Sequence, residues 1–317
     1  MAAVSRVAWL FPGQGAQAVG MGFDLWQRWA VARQAFALAD RVLGWPLTRL
    51  CFEGPQAELD RTERTQPALL AASVAAARVL RELGQQPAAV AGLSLGEYSA
   101  LVAAGAVELE EALRLVEHRG RYMQEAVPEG AGAMVAVIGL EREPVVRACR
   151  QVREAGGLVQ PVNFNCPGQV VIGGEREAVE RAVAILRGEG ARRLVPLHVS
   201  APFHCDLMTP AARRLEPELR ALRLRTPSVP VYSNVDARPR RSPAAIRRAL
   251  IRQVDHPVYW EETLRAMWRD GIRHFVEVGP GTALSGFVRR TLPEARVSHV
   301  GEAAEAEELA RRMEVGP

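Results

Sequence analysis

The chain contains no lysine; all 40 of its basic residues are arginine. That absence removes Schiff-base chemistry, pyridoxal-phosphate attachment, Walker-type phosphate loops and Ser-x-x-Lys acylation pairs, each of which needs a primary amine. Cysteine is scarce as well. Cys51, Cys149, Cys166 and Cys205 lie far apart and form no Cys-x-x-Cys pair, which argues against a disulfide framework and against a zinc site. Cys205 follows His204, yet no turn presents it, so it reads as a bystander thiol. Long apolar runs are missing too: none approaches the roughly 18 residues of a membrane-spanning helix. Val4 to Phe11 is strand-like and carries no signal-peptide cleavage site, so a cytoplasmic protein is expected. Aromatic residues are only 6% of the chain, and no nucleic-acid motif accompanies them. The net charge of +4 therefore favours an acidic partner other than nucleic acid.

What is present is an ordinary globular composition, 48% hydrophobic and 24% charged, over 317 residues. That is enough chain for one large core or two domains. Strand-like and helix-like segments alternate, the mark of an α/β architecture. Val7–Phe11 reads as a strand, Gln66–Leu83 as a long helix with Pro67 near its start, and Ala88–Leu93 as the next strand. Helices are expected through Ala103 and over Leu109–Ala126. From Ala133 to Val199 the order becomes βαββαβ, the ferredoxin-like unit. The expected organisation is a large, discontinuous α/β-hydrolase-like domain over 1–128 and 201–317, with a ferredoxin-like subdomain inserted at 129–200. Val229–Asn234 and His274–Val278 complete the larger sheet, and Arg238 to Pro243 reads as an exposed loop.

The segment richest in chemistry is Gly92-Leu93-Ser94-Leu95-Gly96, which follows an apolar strand and precedes a helix. A strand turning sharply into a helix pushes one hydroxyl outward, and the flanking glycines let the backbone pass closely. The helix start then offers unpaired N–H groups to a developing oxyanion. Serine needs a base within hydrogen-bond reach. Of six histidines, His204 sits in a Pro-containing loop after a strand and is the best placed. His198 and His274 read as structural, and His118 lies on a helix beside Arg119. No aspartate stands out as an acidic third member. Gly13-x-Gly15-x-x-Ala18, with Asp40 downstream, formally fits a dinucleotide fingerprint, but no second strand ends at Asp40. A turn whose Gln14 N–H serves an acyl oxyanion suits the segment better.

Several ordered motifs then resemble the malonyl-CoA:acyl-carrier-protein transacylases, the acyltransferase family of fatty-acid and polyketide synthesis. They are Phe-Pro-Gly-Gln-Gly at 11–15, Thr-Gln-Pro-Ala-Leu at 65–69 and Gly-Leu-Ser-Leu-Gly-Glu-Tyr-Ser-Ala at 92–100. Arg-Gly-Arg-Tyr-Met-Gln at 119–124, Pro-Val-Asn-Phe-Asn at 161–165, His204 and Glu-Val-Gly-Pro-Gly at 277–281 follow in order. The resemblance implies Ser94 as the acylated nucleophile and His204 as its base, oriented by the main-chain carbonyl of Gln253. It implies an oxyanion hole from the N–H groups of Gln14 and Leu95, and Arg119 as partner of the malonyl carboxylate. A planar guanidinium can hold a carboxylate by two parallel hydrogen bonds. Phe203 matches the malonyl-selective pattern. Leu93 stands where many relatives carry histidine, so polar help from that position is lost.

The implied partners are malonyl-CoA and an acidic acyl carrier protein, with no cofactor or metal, no nucleic acid and no membrane. Arg289-Arg290 and Arg192-Arg193 are candidates for the carrier surface. A serine thioesterase or acyl hydrolase stays open as an alternative, as does an inactive carrier-docking module.

Overall fold

The computed structural model describes residues 6–197, 199 and 201–314. Among these residues the strands are β1 (Arg6–Phe11), β2 (Ala89–Gly92), β3 (Gly132–Ile138), β4 (Val159–Cys166), β5 (Gln169–Glu175), β6 (Arg193–Pro196), β7 (Val231–Tyr232), β8 (Pro239–Arg240), β9 (Val258–Tyr259), β10 (Ile272–Val278) and β11 (Arg296–Val300). They form two sheets within a mixed α/β fold. One has the order β11-β10-β1-β2-β7-β8 and the other β6-β3-β5-β4-β9. No helix among the described residues is long and apolar enough to cross a membrane.

The first sheet is parallel from β11 to β7, and β8 closes its edge antiparallel to β7. Helices cover it, so β1 and β2 are buried almost throughout. That is why both read as unbroken apolar runs instead of alternating ones. The chain leaves β1 for β2 on one side, while β10 lies on the other. Their diverging loops open a crevice beyond the carboxyl ends of the strands, where open α/β sheets place ligands.

In the second sheet β3 pairs antiparallel with β5 and β6, and β4 pairs antiparallel with β5. β9 lies parallel to β4. Side chains alternate faces along a strand. Val135 and Val137 of β3 pack with the helices Arg142–Glu154 and Arg176–Gly188 in a core that includes Val145, Val152 and Leu186. Met134 and Ala136, on the opposite face, join the main core. The second sheet is thus covered on both faces along β3, β4 and β5, with β6 an exposed edge, and it forms one wall of the crevice.

Several elements depart from the sequence expectation. The long helix runs over Thr62–Glu82 and starts before Gln66, with Pro67 inside its second turn. The last strand of the βαββαβ unit, expected to reach Val199, is the shorter β6, and His198 lies outside the described residues. Val229–Asn234 contracts to β7, because Asn234 leaves the ladder for the site described below. Within the expected 238–243 loop, Pro239 and Arg240 pair with β7 as an edge strand, the position at which proline costs a sheet least. Asp40 lies within the helix Ala30–Leu43 and accepts from the Thr48 N–H, so the dinucleotide fingerprint has no structural counterpart.

Candidate active site

Ser94 occupies the turn between β2 and the helix Gly96–Ala103. Its φ of 53° is left-handed, a conformation that costs a non-glycine residue about 1–3 kcal/mol. The turn is tight enough to demand its glycines. A Cβ on Gly92 would lie 1.9 Å from the Gly96 carbonyl, and one on Gly96 would lie 2.1 Å from the Phe11 oxygen. The turn leaves backbone groups without ladder partners, and Asn234 takes up two of them. Its Oδ1 accepts from the Ser94 N–H at 2.6 Å, and its Nδ2 donates to the Gly92 carbonyl at 2.7 Å. Among the described residues, neither the Gln14 N–H nor the Leu95 N–H has a protein acceptor. The Gln14 side chain donates to Thr62 Oγ1 at 3.0 Å, which anchors its loop.

His204 is 2% exposed and also left-handed, with φ 61°. Its Nε2 lies 2.7 Å from Ser94 Oγ and its Nδ1 lies 2.9 Å from the Gln253 main-chain oxygen. A carbonyl can only accept, so the proton belongs on Nδ1 and Nε2 is free to receive the serine proton. Gln253 ends the helix Pro243–Gln253, and the last carbonyls of a helix lack intrahelical partners. One such orphan carbonyl stands against the imidazole where an aspartate is usual. Burial, reinforced by the nearby Arg119 charge, pushes the imidazole down to about 3, so the ring is neutral at ordinary pH.

Arg119 projects from the helix Leu109–Glu125 and is 1% exposed, not the solvated helix residue that most arginines are. Its Nη1 donates to Gln66 Oε1 at 2.8 Å. Its Nη2 donates to Gln253 Oε1 at 3.0 Å and to Ser94 Oγ at 3.2 Å. The guanidinium also lies 5.5 Å from the centre of the Tyr98 ring. Nε is buried without a partner, and no ion pair to Arg119 occurs among the described residues. A buried cation with spare donors and no paired carboxylate, in contact with a serine oxygen, is a seat for an anion.

Ser94, Arg119, His204 and Gln14 all line one cavity, and Phe203, Met134 and Leu93 contribute to its apolar wall. Phe203 is buried, with its N–H directed at Met134 Sδ at 3.3 Å. Of the other described histidines, none lines this cavity. His274 is buried in β10 against Ser298 Oγ at 2.9 Å, and His118 meets Glu218 at 2.8 Å. Cys205 is buried, its thiol pushed up to about 12 by burial, and it donates to the Pro202 carbonyl. Burial at that level keeps it a thiol, with no nucleophilic character.

Sequence reasoning missed the residues that hold the others. Gln66, Glu97, Asn234 and the Gln253 side chain were not assigned roles. Gln66 and Glu97 fall inside motifs quoted above, which was the available signal. Asn234, at the end of an expected strand, offered none.

The acyl transferase domain model matches residues 8–314. A malonyl CoA-acyl carrier protein transacylase of Escherichia coli (strain K12) is 48% identical over 300 residues, covering 94% of this chain and 97% of its own. The 1.7 Å crystal structure of an acyl carrier protein S-malonyltransferase from Vibrio cholerae O1 biovar eltor superposes with a TM-score of 0.93 at 49% identity, covering 96% of this chain and 100% of that one. A malonyl-transacylase solved in complex with its type II PKS acyl-carrier protein reaches a TM-score of 0.95 at 48% identity, covering 97% and 100%. A half-buried hydroxyl on a strained turn, a neutral imidazole on a helix-end carbonyl and a buried guanidinium without an ion pair thus sit in a chain that belongs to the acyl transferase domain family, among its malonyl CoA-acyl carrier protein transacylases.

Proposed function

We propose that this chain moves a malonyl group from malonyl-CoA to the phosphopantetheine thiol of an acyl carrier protein through a malonyl ester on Ser94. One observation carries the reading: Ser94 Oγ lies between the His204 Nε2 at 2.7 Å and the Nη2 of a buried, unpaired Arg119 at 3.2 Å. The first contact makes the serine a nucleophile, and the second reserves the site for an acyl group that ends in a carboxylate.

In the first half-reaction Ser94 Oγ attacks the thioester carbonyl as its proton passes to His204 Nε2. The negative oxygen that forms is met by the N–H groups of Gln14 and Leu95. The C–S bond then breaks, the imidazolium protonates the departing sulfur, and free coenzyme A leaves the serine ester behind. In the second half-reaction the carrier thiol gives its proton to His204 and attacks the ester carbonyl. The C–O bond breaks and Ser94 recovers its proton. Throughout, the malonyl carboxylate accepts hydrogen bonds from Arg119. The Phe203 ring crowds an added α-methyl, a distinction worth about 1–3 kcal/mol in an apolar pocket.

The larger sheet with its serine turn suits an α/β-hydrolase-like domain over 1–128 and 201–317. The order β6-β3-β5-β4, all antiparallel, supports reading 129–200 as an inserted ferredoxin-like subdomain. Four buried free thiols accord with a reducing cytoplasmic compartment. Arg289, Arg290, Arg192 and Arg193 are all exposed and can meet an acidic carrier protein.

Arg119→Ala tests the assignment. It should weaken use of malonyl-CoA by about 3–5 kcal/mol and raise acetyl-CoA to an effective competitor, read by mass spectrometry of the acylated protein. A variant that still strongly prefers malonyl-CoA rules out Arg119 as the carboxylate partner. Transfer of the ester to water faster than to carrier protein would favour the hydrolase alternative.

A further inference from the structure

Behind the nucleophile lies a buried carboxyl group that the acyl-transfer steps do not use. Glu97, in the first turn of the helix Gly96–Ala103, accepts through Oε2 from Gln253 Nε2 at 3.0 Å and from the Asn234 N–H at 3.3 Å. The same Gln253 Nε2 donates to the Ser94 carbonyl at 2.7 Å, and Gln253 Oε1 accepts from Arg119 Nη2 at 3.0 Å. These partners admit one orientation of the amide. Turned over, Oε1 would face two acceptors, and the NH2 group would face a guanidinium that can only donate. Buried polar groups set against their own kind carry the full cost of lost hydrogen bonds.

We propose that Glu97 is a positioning residue for acyl selectivity, fixing the Gln253 amide so that Arg119 is held with its free N–H groups toward the ester on Ser94. The inference rests on the transacylase reading above. Its geometry explains why the carboxyl group stands one amide away from the guanidinium. A carboxylate in direct contact would occupy the donors that the substrate needs, whereas a relayed one steadies the cation and leaves them open. Burial pushes Glu97 up to about 7, against the pull of its hydrogen-bond donors. Both its protonated and ionised forms keep an oxygen able to accept from the amide.

The experiment compares Glu97→Leu, Glu97→Gln and the unchanged enzyme, measuring kcat/KM for acylation of Ser94 by malonyl-CoA and by acetyl-CoA, with folding followed by thermal midpoint. Glu97→Leu should lower the malonyl-to-acetyl ratio at least about tenfold, while Glu97→Gln, which keeps an acceptor oxygen, holds it within about threefold. Where Glu97→Leu does not fold, Gln253→Met decides. It removes the same amide from the other end, keeps the main-chain carbonyl for His204, and should lower the ratio equally. A folded Glu97→Leu or Gln253→Met that keeps the ratio overturns the inference. So does an equal loss of both substrates, or a Glu97→Gln that falls as far as Glu97→Leu. If the unchanged enzyme forms no malonyl ester at Ser94, the transacylase reading itself has failed, a separate outcome.

Discussion

Ser94 and His204 face each other across 2.7 Å, and each is held in a backbone conformation that side chains avoid. Strain of this kind is a cost of about 1–3 kcal/mol per residue, kept where the surrounding fold over-determines it. Comparing Ser94→Gly with Ser94→Ala isolates the effect, since both lose the hydroxyl and only glycine relaxes at positive φ. The glycine variant should be the more stable by about 1 kcal/mol in urea unfolding. Equal midpoints would show that the turn carries no strain. An imidazole at its ordinary value of 6.5 would be mostly protonated at pH 5 and lose its capacity as a base. Lowered to about 3, His204 stays neutral there. Acylation by malonyl-CoA, followed in a single turnover, should therefore change little between pH 7 and pH 5. A fall of tenfold or more, centred near pH 6.5, would show that the ring titrates normally.

The strand-turn-helix unit is the element on which the site depends, and its glycines are its most exacting positions. Gly92→Ala would place a methyl group 1.9 Å from the Gly96 carbonyl, so a loss of about 3–5 kcal/mol is expected. Gly188→Ala, at the end of the helix Arg176–Gly188 with open space around it, should be neutral or stabilising by up to about 1 kcal/mol. Chemical denaturation of the two variants checks both. The unit was legible in the sequence because its signals are contiguous: an apolar run, two glycines, a serine and a helix start. His204 stood out by its place in a Pro-containing loop after a strand, and Arg119 through its motif. The role of Gln253 came from resemblance alone, since every residue owns a carbonyl and no side chain advertises its use. Asn234 and Glu97 stayed hidden because their roles exist only where a strand end, a helix start and a helix end meet. The shortest elements were blurred or lost for a similar reason. β7, β8 and β9 are two residues each; β7 and β9 form by pairing with β2 and β4, strands distant in sequence, and β8 exists only as the edge partner of β7.

Across the whole molecule, the cavity is walled by the second sheet and by the loops that follow β1 and β2, and rimmed by the helix Ala283–Thr291, whose Ala283, Leu284 and Phe287 line it. Arg289 is exposed on that helix, with no ion pair among the described residues. Arg289→Glu should slow transfer to an acidic carrier protein about tenfold at low salt, with the deficit shrinking as salt screens the surface. Acylation of Ser94 by malonyl-CoA, measured alone, should not share that salt-sensitive deficit to the same degree. A transfer rate that ignores both the reversal and the salt would move the docking surface elsewhere.

His204 leans on the Gln253 carbonyl and not on a carboxylate. A dipole shelters the protonated ring less than a full charge would, so the proton is surrendered readily and the push on the serine oxygen is mild. A mild push is sufficient for a thioester, whose sulfur departs easily, and falls short for an amide. Donor and acceptor are both thiols of comparable leaving ability, so neither direction is strongly downhill. The molecule thus behaves as an equilibrator between two thiol pools, and whatever reaction next consumes the loaded carrier determines which way the acyl group flows.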